Sequence, residues 1–236
     1  MGGFKLKGYR VTVLRHGNTR ANEEGIYIGR TDYPLSERGA AELAAKMDTY
    51  IYPTVDKVYS SPLLRCTESA EILFPDTEIQ VVEDLAEMNF GKFEGKKAME
   101  LTGTAEFEAW LKGGVDNSPP GGESVQDVDV RIYKAICIIF GDMMEHDYQH
   151  CAIMTHGGIV SNMLAGFGVP KIDPQELIPL PGEGYDLHWT AEDWQRSGVF
   201  EILGMAPYDR VTEEDLEAEA SAEDEIEIAD EDETET

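Results

Sequence analysis

The chain has 236 residues, 42% hydrophobic and 28% charged, enough apolar residues for a buried core and too many for a chain disordered throughout. Its longest wholly apolar run, residues 135–140, falls far short of the ~20 residues of a membrane-spanning helix, which argues against a helical membrane protein. Lys and Arg number 19 against 47 Asp and Glu, and this net charge of −28 argues against a nucleic-acid binder while leaving room for one local anion site.

The charge is unevenly divided. Residues 211–236 hold 14 acidic residues and no basic one, a composition that predicts a solvated, disordered tail or a docking segment for a basic partner. Residues 1–40 are locally basic, with seven Lys and Arg against four Asp and Glu. The start of the chain lacks the basic, apolar and small-residue succession of a secretory signal. Cys66, Cys137 and Cys151, in mostly apolar settings, predict reduced thiols. Together these features predict a cytoplasmic protein.

In chain order, the β-branched run at residues 11–14 predicts a strand. Ser36 then opens a helical stretch with Leu43, Met47 and Ile51 at fourfold spacing. Residues 57–60 read as a second strand, followed by Ser61 as helix N-cap and Pro62 as first helical residue ahead of residues 63–73. Residues 79–82 predict a third strand. Residues 83–122 mix Gly, Phe, Trp110 and charges, and are expected to form an irregular insertion, or lid, over the strand carboxyl ends. Ser124 with Asp127 makes a capping-box start to a long helix with Val128, Ile132, Ala135 and Ile139 on one face. Residues 151–154 read as a strand, 158–167 as a helix, and 185–189 and 200–203 as further strands. This alternation predicts an α/β fold with a mostly parallel central sheet and helices on both faces. No fixed-period repeat is present, which excludes solenoids and propellers.

Two segments share one construction: residues 11–14 run into Arg15-His16-Gly17, and residues 151–154 into Thr155-His156-Gly157. Each is an apolar strand that delivers a His at its carboxyl end. Ligands of open α/β sheets bind outside the strand carboxyl ends, so both imidazoles are expected in one crevice, with glycines that let an anion approach the backbone. The two-His run His146-Asp147-Tyr148-Gln149-His150 lacks the Glu of a zinc helix and is not read as a metal site.

Leu14-Arg15-His16-Gly17-Asn18-Thr19, with Asn22 beyond it, resembles the signature of the histidine phosphatase superfamily, which includes the cofactor-dependent phosphoglycerate mutases. Further stretches follow in family order: Gly29-Arg30-Thr31-Asp32 with Pro34-Leu35-Ser36, Ser61-Pro62-Leu63-Leu64-Arg65, Glu87-Met88-Asn89-Phe90-Gly91, Gly121-Gly122-Glu123-Ser124, and Thr155-His156-Gly157-Gly158. The likeness runs over about residues 9–170 and implies a catalytic domain within residues 1–210. It implies His16 as nucleophile and Glu87 as proton donor. Arg15, Arg65 and His156 follow as phosphate binders, with Asn22, Gly29 and Gly157 as further phosphate or substrate contacts. The chemistry of these residue types agrees. Neutral imidazole attacks phosphorus well, flanking cations disfavour its protonation, and arginine forks match phosphate oxygens. With such a clamp neither a metal ion nor another cofactor is required.

The resemblance implies a phosphomonoesterase acting on a small phosphate ester. Mutases of the family usually carry Glu where this chain has Asn18, and Asn-Ser where it has Gly158-Ile159. Residues 87–95 and the Gly-Gly-Glu-Ser loop look more like the phosphatase branch, which includes alpha-ribazole phosphatases. Ile28 replaces a residue that is usually polar in both groups. A phosphoglycerate mutase and a non-catalytic phospholigand-binding protein are the alternative readings, and the sequence gives neither substrate nor oligomeric state.

Overall fold

The computed structural model describes residues 7–210; the acidic segment 211–236 lies outside them. The chain runs β1 (Gly8–Arg15), α1 (Arg20–Glu23), α2 (Glu37–Thr49), β2 (Tyr50–Ile51), β3 (Lys57–Ser60), α3 (Leu64–Leu73) and β4 (Ile79–Val81). After α4 (Ala98–Leu101), α5 (Ala105–Leu111) and α6 (Val125–His146) come β5 (His150–Thr155), α7 (Gly157–Phe167) and β6 (Gly168–Val169). The chain closes with β7 (Gly184–Thr190), α8 (Ala191–Ser197), β8 (Phe200–Ala206) and β9 (Tyr208–Asp209).

Seven strands form one sheet in the order β4-β3-β5-β1-β7-β8-β6, and β2 pairs with β9 apart from it. Within the seven, β7 alone runs against its neighbours, so the sheet is mostly parallel, as expected. Side chains alternate across it with the period of two that a strand dictates. Val11, Val13, Cys151 and Ile153 enter one core with Ile132, Ile139, Ile159 and Val160 of α6 and α7. Leu14, Ala152 and Met154 enter the other with Leu43 of α2 and Cys66 and Ala70 of α3. Helices therefore cover both faces.

Most boundaries shift by one to three residues from the sequence reading, and two of the shifts have a tertiary cause. The helical spacing that reaches Ile51 overshoots, because the chain turns extended at Tyr50 and Ile51 pairs with Tyr208. The helix after β3 starts at Leu64 with no side-chain cap from Leu63, and Asp32 Oδ1 accepts the Leu64 N–H at 2.7 Å instead. Ser61 Oγ keeps only a long bond of that kind, accepting the Leu63 N–H at 3.4 Å.

Residues 83–122 hold more regular structure than their composition implies. They contain two single-turn 3₁₀ helices, α4 and α5, built around Phe93, Leu101 and Phe107, against which Tyr27, Phe90 and Trp110 pack. Edge-to-face contacts such as Tyr27–Phe90, with centroids 5.4 Å apart, tie this small core to the segment after α1.

Candidate active site

The sheet register assembles the two histidines. β1 and β5 are parallel neighbours with Arg15 opposite Thr155, so the next residues, His16 and His156, leave the sheet side by side. The His16 N–H donates to Thr155 O at 2.9 Å, carrying the ladder one residue past the strand. The two rings meet edge to face with centroids 5.0 Å apart.

His16 is buried, and its Nδ1 lies 2.6 Å from Gly17 O. A carbonyl oxygen only accepts, so Nδ1 carries the hydrogen and Nε2 keeps its lone pair. Burial, followed by the charge of Arg65 and then Arg15, pushes the imidazole pKa down to about 3, although the Gly17 bond works the other way. Gly17 is also needed for space: a Cβ there would lie 2.6 Å from Leu43 Cδ1. Its N–H donates to Ser69 Oγ at 2.9 Å, and that hydroxyl donates to Arg65 O at 2.6 Å, which joins the loop after β1 to α3.

Arg65 is fully buried in the first turn of α3. Its fork is held by backbone: Nη1 donates to Thr31 O at 3.0 Å and Nη2 to Gly29 O at 2.8 Å. Gly29 thus serves through its carbonyl as an anchor for Arg65. A Cβ at Gly29 would fall 1.9 Å from Met88 O, so only glycine lets these two segments close. Arg65 Nε donates to His156 Nδ1 at 3.3 Å. With Nδ1 accepting, His156 Nε2–H donates to Ser61 Oγ at 2.8 Å. Burial, the neighbouring His16 and then Arg65 keep His156 neutral, its pKa well below the ordinary value.

Arg15 Nη1 donates to Pro179 O at 2.8 Å, while its Nε is buried without a partner among the described residues. A buried donor left without an acceptor is costly, and an anion beside it would supply one. Arg15 packs over Gly157, where a Cβ would stand 3.4 Å from Arg15 Cδ and Nε. Gly157 opens α7, so the positive end of that helix dipole also faces the site. Asn22 is placed differently. Its Oδ1 accepts from Thr19 N–H at 3.0 Å and Thr19 Oγ1–H at 2.9 Å in the capping box of α1.

Glu87 is buried, and its Oε1 accepts the Met88 N–H at 2.8 Å. Burial raises its pKa above the usual carboxylate value, partly offset by the Met88 N–H, Arg65 and Arg131. A Cβ on Gly158 would lie 2.9 Å from Glu87 Oε1, which puts the carboxyl against the start of α7.

The structure therefore brings His16, His156, Arg65, Arg15, Gly157 and Glu87 into one buried constellation, with Gly29 behind Arg65 and Asn22 in a cap. Ser61, Ser69 and Arg131 hold parts of it and were not singled out for that from the sequence. A charged residue on the core face of a long helix is the one local signal that pointed to Arg131. His146 and His150 are split between α6 and β5. Among the described residues no group of three or more His, Cys, Asp or Glu is arranged to hold a metal, and no helix is long and apolar enough to cross a membrane.

Comparison with known proteins agrees with this geometry. The chain is 29% identical over 179 residues to the adenosylcobalamin/alpha-ribazole phosphatase of Escherichia coli, covering 74% of this chain and 81% of that one. It is 30% identical over 190 residues to a 2,3-bisphosphoglycerate-dependent phosphoglycerate mutase of Methylobacterium radiotolerans, covering 72% and 87%. The crystal structure of the alpha-ribazole phosphatase from Shigella flexneri superposes with a TM-score of 0.69 at 21% identity, over 86% of this chain and 99% of that one, a likeness of fold. The family model of the histidine phosphatase superfamily (branch 1) matches residues 11–198, and the chain belongs to that superfamily.

Proposed function

We propose that this phosphatase is a metal-independent phosphomonoesterase that hydrolyses a small phosphorylated metabolite through a phosphohistidine at His16. The observation that carries the reading is the Nδ1–H bond to Gly17 O, which leaves Nε2 as a bare nucleophile under the charge of the buried Arg65 and the half-buried Arg15. Nε2 attacks phosphorus as the P–O bond to the leaving group breaks, and Glu87 gives its proton to the departing alkoxide. Water then attacks the phosphohistidine, Glu87 takes a proton from it, and the P–N bond breaks to release inorganic phosphate.

Arg15 Nε and the charge of the Arg65 guanidinium, whose fork is anchored on backbone, balance charge on the equatorial oxygens. The Ser61 hydroxyl can either accept or donate, so it supports both tautomers of His156. With Ser61 donating to Nε2, the imidazole offers Nδ1–H to the anion and Arg65 Nε–H turns to it as well. Asn22 keeps its amide Nδ2 for a phosphate contact. Asn18 favours hydrolysis over the mutase alternative: its Nδ2 donates to Glu42 Oε2 at 3.1 Å, which binds it to α2.

His16→Ala tests the proposal. Turnover of an aryl phosphate should vanish while the circular dichroism spectrum is kept, and acid-sensitive label from ³²P-phosphate ester should appear on wild-type protein alone. Near wild-type turnover in the variant would remove the mechanism. Conversion of 3-phosphoglycerate without release of phosphate would favour the mutase.

A further inference from the structure

We infer that Arg131, on the inward face of α6, is a positioning residue for the acid, with Glu123 as its partner; this rests on the role proposed above for Glu87. α6 packs its inner face with Val128, Ile132, Ala135, Ile136 and Ile139, and Arg131 sits among them almost fully buried. A guanidinium costs several kcal/mol to bury unless its donors are satisfied. Here they are satisfied by the backbone just before Glu87 and by the carboxylate of Glu123.

Arg131 Nη1 donates to Asp84 O at 2.8 Å and to Ala86 O at 2.5 Å. The carbonyl between them, Leu85 O, accepts from Thr155 Oγ1 at 2.7 Å. The three carbonyls before Glu87 are thus pinned by side chains of α6 and β5. Arg131 Nε and Nη2 close a fork on Glu123 Oε1 and Oε2 at 2.9 and 3.1 Å. Glu123 in turn accepts the Asn89 N–H at 2.8 Å, its own N–H donates to Asn89 O at 2.9 Å, and Arg30 Nη2 approaches the carboxylate at 3.3 Å. The backbone is therefore fixed on both sides of Glu87, and the Arg131–Glu123 pair is the brace that spans it. Burial works against the Glu123 carboxylate, yet the hydrogen bonds from Arg131 and Asn89 hold its pKa below the usual value, so the carboxylate stays charged. Neither residue needs to touch the phosphoryl group. Arg131 acts by keeping the Glu87 carboxyl against the start of α7.

The test is a double-mutant cycle read on two substrates, p-nitrophenyl phosphate, which leaves without help, and ethyl phosphate, which needs a proton. Arg131→Met should lower kcat on ethyl phosphate by about 10²-fold, the scale of a misplaced catalytic group, and alter kcat on p-nitrophenyl phosphate far less. Competitive inhibition by inorganic phosphate should hold within about twofold, since removing Arg131 leaves the clamp intact. In a Glu87→Gln background the ratio of the two substrates should not change further on adding Arg131→Met. Glu123→Gln, which keeps shape and loses charge, should repeat the selective loss in milder form, and Arg131→Lys should restore part of it; these serve where Arg131→Met fails to fold. Equal losses on both substrates, or losses that multiply with Glu87→Gln, would reduce Arg131 to a core residue and overturn the inference. If Glu87→Gln itself slowed both substrates equally, the acid assignment would fall and the inference with it.

Discussion

The buried imidazole of His16 has a thermodynamic signature separable from catalysis. Its pKa is about 3 in the folded chain against 6.5 for the free side chain. Between those values the unfolded chain binds a proton at residue 16 that the folded chain refuses. The unfolded state thus holds more protons, and stability falls as pH falls, by about 1.4 kcal/mol per pH unit. From pH 7 to pH 5 the penalty at this one site grows by about 2 kcal/mol. His16→Asn removes the titrating group while leaving His156 and Glu87 in place. The variant's stability relative to wild type should therefore rise by about 2 kcal/mol between pH 7 and pH 5, whatever the substitution costs at pH 7. Urea unfolding at pH 5, 6 and 7 measures it, with equal m-values as the check that the denatured state is unchanged. Parallel pH dependences for the two proteins would mean that His16 titrates normally. The case for a permanently neutral nucleophile would then be lost.

Other perturbations reach neighbouring parts of the site. Chelators should leave turnover unchanged while vanadate inhibits competitively by mimicking the five-coordinate phosphoryl group; activity abolished by EDTA and restored by zinc would contradict the proposed mechanism. Gly29→Ala should cost more than 3 kcal/mol in urea unfolding or abolish folding, because the new Cβ meets Met88 O at 1.9 Å and backbone has to move; a loss below about 1 kcal/mol would show that the two segments are not held that close. Ser61→Ala removes the hydroxyl that donates to His156 Nε2 when Nδ1–H faces the anion, and inhibition by inorganic phosphate should weaken by roughly tenfold, in line with a lost buried hydrogen bond. Unchanged inhibition would mean that His156 meets the anion without help from Ser61.

The fold was legible where burial alone dictates the pattern. The short apolar run at 151–154 lies in an interior strand bordered on both sides, is buried throughout, and its composition says so directly. The long helix was legible for the opposite reason, since α6 has a wet face and a dry one and its Ser124–Asp127 box is local. What escaped depends on partners distant in sequence. β2 is two residues long and exists because Tyr208 and Asp209 come alongside. α4 and α5 are short pieces held by an aromatic core that also draws on Tyr27.

The site divides along the same line. Side chains proposed to meet the anion are of particular types at fixed offsets from strand ends, so Arg15, His16, Arg65 and His156 stand out in the sequence. Side chains that orient them have no such constraint, because a serine or a buried arginine has many roles and its role is chosen by what the fold puts beside it. Ser61 is the clearest case. Read locally, Ser61-Pro62 is a helix start, and the inference is sound for an isolated peptide. In the folded chain Asp32 supplies the cap from 32 residues away, and the Ser61 hydroxyl turns to His156. Gly29, expected as a phosphate or substrate contact, has its carbonyl taken by Arg65. Local propensity and tertiary assignment compete for the same polar atoms. At this site the tertiary claim prevails because His156 is buried, and a buried donor left unpaired costs more than a cap lost at a helix end.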